Sequence, residues 1–394
     1  MAEAKVLGLS GNEAVAYAVK QADVDVIAAY PITPQTIIVE RLSEYVNNGE
    51  LQAAFIPVES EHSALSTCVG AALTGARVFT ATASQGLALM HEILHIASSL
   101  RTPIVMAVVN RALSAPINIH CDHSDIMNAR DAGWVILFAE NAQEAYDLTI
   151  QAFKVAESHD VLLPVTVNLD GFIISHSLEV VKVLSDEDVK RFLPRRDPVY
   201  PIDFERPTTY GPLALQDYFF EVKRQQADAI GRAKEVVRKV GEEYGKVSGR
   251  PYPLVKEYGM EDAEVAVVAL GSSVGTLRAV ARRLRKEGKK VGVLGLTLFR
   301  PLPRDELMKY LEGVKVLIVM DRAVSYGSTG GPLYLEVAGL LFRSDLRPLT
   351  LNVVYGLGGR DLRPSDVEAI FNEGFKCLER RRVEKELLWV GVRE

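Results

Sequence analysis

The sequence predicts an α/β chain: a doubly wound parallel sheet, followed by a second, smaller α/β unit. Three observations carry this. Short, nearly continuous runs of Val, Ile, Leu and Ala recur through the first half, the pattern of strands buried on both faces. Longer amphipathic stretches separate them and supply the crossover helices that a parallel sheet requires. After an interval rich in Pro, Arg and Asp, the same alternation resumes.

The elements follow in order. Strands are expected at Val24–Ala29, Ala53–Pro57, Val78–Ala81, Ile104–Val109, Trp134–Phe138 and Val165–Leu169. Helices are expected between them at Ile37–Tyr45, His62–Leu73, Leu87–Ser98 and Gln143–Glu157. Five prolines between Leu184 and Pro212 (Pro194, Pro198, Pro201, Pro207 and Pro212) read as an extended connector. A charged amphipathic stretch over Leu215–Tyr244 reads as one long helix, closed by Gly249-Arg250-Pro251. The second unit is expected to hold strands at Val265–Leu270, Val291–Leu296, Val314–Met320 and Leu349–Val353. Its helices are expected at Gly275–Glu287, Arg304–Leu311 and Pro332–Phe342. The chain thus divides into residues 1–183, a connector and long helix over 184–260, and 261–394.

Composition narrows the function. The formal net charge of -6, with no long run of Lys and Arg, gives no electrostatic reason to expect nucleic acid as a partner. No stretch of about 18 uninterrupted apolar residues is present, so no membrane span is expected. Met1-Ala2-Glu3-Ala4-Lys5 is not followed by the apolar core of a signal peptide. The three cysteines, Cys68, Cys121 and Cys377, are too far apart for CxxC or common iron–sulfur spacings. Scattered thiols suit a reducing, cytoplasmic setting.

Ligands of open α/β sheets bind at the carboxyl ends of the strands. There the first unit carries Tyr30-Pro31-Ile32-Thr33-Pro34, Val58-Glu59-Ser60-Glu61-His62, Thr82-Ala83-Ser84-Gln85-Gly86 and Asn110-Arg111-Ala112. These bring a hydroxyl, carboxylates, an amide and a guanidinium to one rim. Each also has a plain structural reading. Thr33 can cap a turn, Glu61 can sit at a helix start favoured by the dipole, and Gly86 can serve a strand-to-helix turn. His120-Cys121-Asp122-His123-Ser124-Asp125 contains metal-ligand residue types, but at no recognised metal spacing. Gly271-Ser272-Ser273-Val274-Gly275-Thr276 is not GxGxxG and reads first as a tight turn into a helix.

Taken together, Tyr30–Pro34, Pro57–Ala64, Thr82–Leu87 and Asn110–Asp125 resemble the alpha subunit of the 2-oxoacid:ferredoxin oxidoreductases. The likeness is greatest to the multi-subunit pyruvate branch (pyruvate synthase). Phe299-Arg300-Pro301-Leu302-Pro303 and Gly356-Leu357-Gly358-Gly359-Arg360-Asp361 extend it over the second unit.

The resemblance implies a pyrimidine-binding domain for thiamine diphosphate, followed by a transketolase C-terminal-like domain. Glu61 falls on the family's catalytic, pyrimidine-binding glutamate, whose hydrogen bond to the ring favours the tautomer that activates the cofactor. Glu59, two residues earlier, is the rival. Thr33 and Arg111 fall on substrate-binding positions, the guanidinium offering paired donors to a carboxylate. Ser84 and Gln85 fall beside the cofactor. No ligands for its diphosphate are visible in this chain.

The resemblance therefore assigns Mg²⁺ and 4Fe–4S clusters to partner beta, gamma and delta subunits, with ferredoxin as electron acceptor. The implied reaction converts pyruvate and CoA to acetyl-CoA and CO₂. The alternatives are a branched-chain 2-oxo acid or 2-oxoglutarate as substrate, or a scaffolding subunit without catalysis.

Overall fold

A computed structural model describes residues 5–200, 202–385 and 387–393. The first half runs β1 (Lys5–Leu9), α1 (Gly11–Gln21), β2 (Val26–Ala29), α2 (Thr36–Asn47), β3 (Ala54–Pro57), α3 (Glu61–Leu73), β4 (Val78–Thr82), α4 (Ser84–Leu89), α5 (His91–Ser99) and β5 (Ile104–Asn110). It continues with α6 (Ser124–Ala129), β6 (Val135–Phe138), α7 (Ala142–Glu157), β7 (Val165–Asp170), β8 (Glu179–Val183) and α8 (Asp186–Phe192). Helix α9 (Phe219–Ser248) leads to β9 (Val255–Tyr258), β10 (Val265–Ala269), α10 (Ser273–Lys286), β11 (Val291–Leu296) and β12 (Leu298–Arg300). The chain ends through α11 (Arg304–Leu311), β13 (Val316–Asp321), α12 (Pro332–Phe342), β14 (Leu349–Tyr355), α13 (Pro364–Arg380) and β15 (Leu387–Val390).

The first sheet has seven strands in the order β12-β6-β7-β5-β4-β2-β3. All neighbours pair in parallel except β12, which runs antiparallel to β6. Every residue of β4, β5, β6 and β7 is buried, which is why these strands read as unbroken apolar runs. The second sheet has the order β15-β14-β13-β10-β11-β9, with only β9 antiparallel. No helix among the described residues is long and apolar enough to cross a membrane.

Several elements differ from expectation. The stretch expected as an extended connector opens with helix α8, whose N-cap Ser185 accepts from the Asp188 amide. The long helix starts and ends four residues later than expected. It buries Ala229, Ala233, Val237, Val240 and Tyr244 on one stripe and stops at Gly249 in the left-handed region. The single helix expected over Leu87–Ser98 is two, interrupted at Met90.

Strand β12 lies in the second half of the sequence, yet it closes the edge of the first sheet, Leu298 facing Leu137 and Arg300 facing Ile136. One apolar core runs through both halves, joining Trp134, Ile136 and Phe138 to Leu296, Phe299 and Leu333.

Candidate active site

In the first sheet, β2 connects outward to β3, whereas its neighbour β4 connects in the opposite sense to β5. The carboxyl ends of β2 and β4 therefore flank a topological switch point, where open α/β sheets bind ligands. Thr33 follows β2, Glu61 follows β3 and Ser84 follows β4.

Ser60 caps α3 by accepting from the Ser63 amide, which sets Glu61 in the first helical turn. The two carboxylates of this segment differ sharply. Glu59 is exposed and bonded to the Ser63 hydroxyl, which lowers its pKa. Glu61 is only 6% exposed, and its carboxylate has no hydrogen-bond partner among the described residues. Its carboxylate lies over Gly86: a Cβ there would be 2.6 Å from Glu61 Oε1 and 2.5 Å from Thr82 Oγ1. Thr82 Oγ1 is buried without a partner, as is Gln35 Oε1, whose residue reaches Ala81 through Nε2. Buried polar atoms are normally satisfied, so these groups mark a place for a polar ligand.

Arg111 is 6% exposed, and burial lowers its pKa. Its Nε donates to Asn118 O at 2.8 Å and its Nη1 to Thr33 O at 2.9 Å. A guanidinium carries five donors, so Nη2 and one Nη1 proton remain. The structure thus brings Arg111 and Thr33 together through the threonine carbonyl, while Thr33 itself is exposed on the rim.

Asp125 had no assigned role in the sequence, and it organises this rim. Fully buried, its Oδ2 accepts from the amides of Ser84 and Arg111, both at 3.0 Å. Its Oδ1 accepts from Asn110 Nδ2 at 3.0 Å and the Ile126 amide at 2.7 Å. Burial outweighs these bonds and pushes its pKa up to about 6. Ser84 takes a left-handed φ of 47°, rare for a residue with a side chain. Its hydroxyl lies 2.6 Å from both Ala112 O and Gln85 Oε1, and Gln85 Nε2 donates to Ser114 Oγ at 2.7 Å. Ser84 is completely buried, so its side chain is spent on the loop rather than aimed at the rim.

The metal-like residues Cys121 and His123 meet Asp170, which ends β7 beside Asn110, on the side that faces the second sheet. Cys121, His123 and Asp170 are the one group of three candidate ligands found among the described residues. Asp170 already accepts from His123 Nε2 at 2.8 Å, Arg322 Nη1 at 2.9 Å and Ser272 Oγ at 2.5 Å. Burial would raise its pKa, but His123 and Arg322 outweigh it and hold the carboxyl well below the usual range. A cation here would face the Arg322 guanidinium. The Ser272 amide also donates to Asp170 at 3.1 Å, so the start of α10 is already served by a carboxylate. The turn at Gly271–Thr276 is a structural joint between the two sheets.

Comparisons with known proteins identify the family. Residues 17–242 match the family described as "Pyruvate flavodoxin/ferredoxin oxidoreductase, thiamine diP-bdg", and residues 263–367 match "Pyruvate:ferredoxin oxidoreductase core domain II". The chain is 51% identical to pyruvate synthase subunit PorA of Thermotoga maritima over 98% of both chains. It is 48% identical to the PorA subunit of Methanocaldococcus jannaschii, over 100% of this chain and 99% of that one. It is 46% identical to ketoisovalerate oxidoreductase subunit VorA of Pyrococcus abyssi, over 98% and 97%. In fold it resembles the 2-oxoglutarate:ferredoxin oxidoreductase of Magnetococcus marinus, with TM-score 0.74 and 20% identity over 94% of this chain and 65% of that chain. Fold and matches together define an α/β oxidoreductase with a thiamine diphosphate-binding domain. The chain belongs to the pyruvate flavodoxin/ferredoxin oxidoreductase family.

Proposed function

We propose that this chain is the alpha subunit of a thiamine diphosphate-dependent enzyme that converts pyruvate, CoA and oxidised ferredoxin to acetyl-CoA, CO₂ and reduced ferredoxin. The observation that carries the reading is the buried Glu61 carboxylate, unpartnered over Gly86 at the switch point. A carboxyl group so placed suits a ring nitrogen of the cofactor's aminopyrimidine, and the unpartnered Thr82 oxygen, which meets it over Gly86, suits the ring's amino group. When bound, thiamine diphosphate supplies the nucleophilic carbon and an electron sink for decarboxylation.

This chain's own residues bind and orient. Glu61 holds a proton at the pyrimidine nitrogen. Arg111 receives the substrate carboxylate on its free Nη protons, and Thr33 offers its hydroxyl from the exposed rim. Gln85 lines the cofactor's side of the rim. Ser84 contributes there through its main-chain turn, its hydroxyl being committed to the loop. Residues 1–183 carry this machinery. The connector and long helix expected over 184–260 stop short of β9, which pairs with β11, so the smaller domain begins near Val255 rather than at 261, and it lends β12 to the first sheet. Mg²⁺, the diphosphate ligands and 4Fe–4S clusters belong to beta, gamma and delta subunits, in a cytoplasmic complex.

The identity to a ketoisovalerate oxidoreductase subunit favours a second reading, in which a branched 2-oxo acid is preferred. The co-purified complex is to be assayed with pyruvate, 2-oxoisovalerate and 2-oxoglutarate. Pyruvate is expected to lead. A tenfold preference in kcat/KM for either other acid, about 1.4 kcal/mol, overturns the pyruvate assignment. Full activity in a complex carrying Glu61→Gln supports a scaffolding role instead.

A further inference from the structure

We infer that the second α/β unit sets the substrate-binding geometry: the turn at Gly356–Gly359, acting through Asn118, positions the Arg111 guanidinium. This rests on the reading of Arg111 as the carboxylate receptor, and it makes Asn118 a positioning residue.

The path is a chain of direct contacts. Arg111 Nε donates to the Asn118 carbonyl at 2.8 Å. The Asn118 side chain is held at both ends. Its Nδ2 donates to Gly358 O at 3.0 Å, and its Oδ1 accepts from the His120 amide at 2.7 Å. The Gly359 amide donates to Cys121 O at 2.6 Å, and the Ala112 amide closes the loop onto His120 O at 3.0 Å. From inside, Arg322 Nε donates to Gly356 O at 3.1 Å, and the His123 amide donates to Arg322 O at 2.8 Å. The loop that carries Arg111 is therefore clasped along its far limb by groups that follow β13 and β14.

Glycine makes this approach possible. Gly356, Gly358 and Gly359 have φ of 65°, 57° and 81°, where a side chain is strained. A Cβ on Gly358 would stand 2.4 Å from Asn118 Nδ2, and one on Gly359 would stand 2.4 Å from His120 Cβ. Arg111 depends on such outside support because its two carbonyl acceptors come from different loops. Thr33 O fixes Nη1, and Asn118 O fixes Nε. With the Asn118 carbonyl displaced, the guanidinium pivots about Thr33, and its free Nη protons turn away from the rim.

The test uses the assembled complex carrying Asn118→Ala, Gly358→Ala, Arg111→Ala or the double variant Asn118→Ala/Arg111→Ala. Asn118→Ala is expected to raise KM for pyruvate about three- to tenfold, the range of one lost hydrogen bond. Its kcat should change less than twofold, and KM for CoA should not move. Gly358→Ala, which keeps Asn118 but denies it room, should give the same pattern. Pyruvate titrated calorimetrically into thiamine-free complex should show the same rise in Kd. In the Arg111→Ala background, Asn118→Ala should have no further effect on KM, since coupled residues are not additive. Independent, additive effects, or a fall in kcat at unchanged KM, overturn the inference. If Arg111→Ala itself leaves KM for pyruvate unchanged, the reading of Arg111 falls, and this inference falls with it.

Discussion

A methyl group on Gly86 tests whether the placement of the Glu61 carboxylate governs activity. The added Cβ would stand 2.6 Å from Oε1 and 2.9 Å from Cδ of Glu61, so Oε1 falls 0.8 Å short of the 3.4 Å at which ordinary contact begins. Thr82 Oγ1, at 2.5 Å, blocks the other side. The backbone itself tolerates alanine, because Gly86 sits inside α4 with no left-handed φ, and alanine favours a helix interior by about 1 kcal/mol. The clash with Glu61 falls on the free end of a flexible side chain, which can swing aside, whereas the short, buried Thr82 must turn about χ1 at about 0.5–1.5 kcal/mol, a cost that the helix propensity of alanine offsets. A displacement near 1 Å at a reacting group costs on the order of 100-fold in rate.

In reconstituted complex, Gly86→Ala should lose about two orders of magnitude in pyruvate-dependent dye reduction while its melting temperature stays within a few degrees of wild type, roughly ±1 kcal/mol. Hydrogen exchange at the thiazolium carbon, followed by NMR, should slow in parallel. Activity within threefold of wild type in a folded Gly86→Ala complex would refute the reasoning.

Three further outcomes follow from the same geometry. Arg111→Lys should raise KM for pyruvate roughly 10-fold or more, because one ammonium cannot serve Asn118 O, Thr33 O and a carboxylate together; steady-state kinetics decide this. Asp170→Asn removes the counter-charge of buried Arg322, disturbs the hydrogen bond to His123, and should destabilise the chain by about 3–5 kcal/mol in denaturant titrations. Because the Asp170 pKa is depressed on folding, its stabilisation is present above about pH 4 and is lost as pH falls. Asp170→Asn should therefore flatten the acid limb of the stability curve, and an unchanged limb would count against the pairing. Asp125 behaves oppositely. Its raised pKa gives stability that is complete below 3.8 and lost as pH rises through about 6. The melting temperature of Asp125→Asn relative to wild type should climb between pH 4 and 7, and a constant difference would contradict that sign.

The parallel core was legible because burial on both faces writes itself as unbroken apolar runs, as in Ile104–Asn110. Helix α13 was not among the expected elements, although Pro364 opens it and Val367, Ile370, Phe371 and Cys377 lie buried along it. Strand β12 was not legible: three residues are too few for a period, and their partner Ile136 lies far back in the chain. At the site, the motif pointed to Glu61, but only burial separates it physically from Glu59. Asp125 was visible only as one of the metal-ligand residue types in His120–Asp125; its actual work, accepting the Ser84 and Arg111 amides, is a tertiary arrangement that no residue pattern records. Ser84 stood in the right turn, but the direction of its hydroxyl depends on the Ala112 carbonyl, a tertiary neighbour.

Strand β12 has a consequence for how this architecture can be inherited or dissected. A gene cut near residue 260 would free a first half whose β6 edge is bare, with unpaired amides and carbonyls along a fully buried apolar strand. Such an edge recruits other chains. Leu298–Arg300 thus works as a stitch, making the two halves obligate companions in folding. A fragment of the first half alone should aggregate unless Leu298–Arg300 is restored to it.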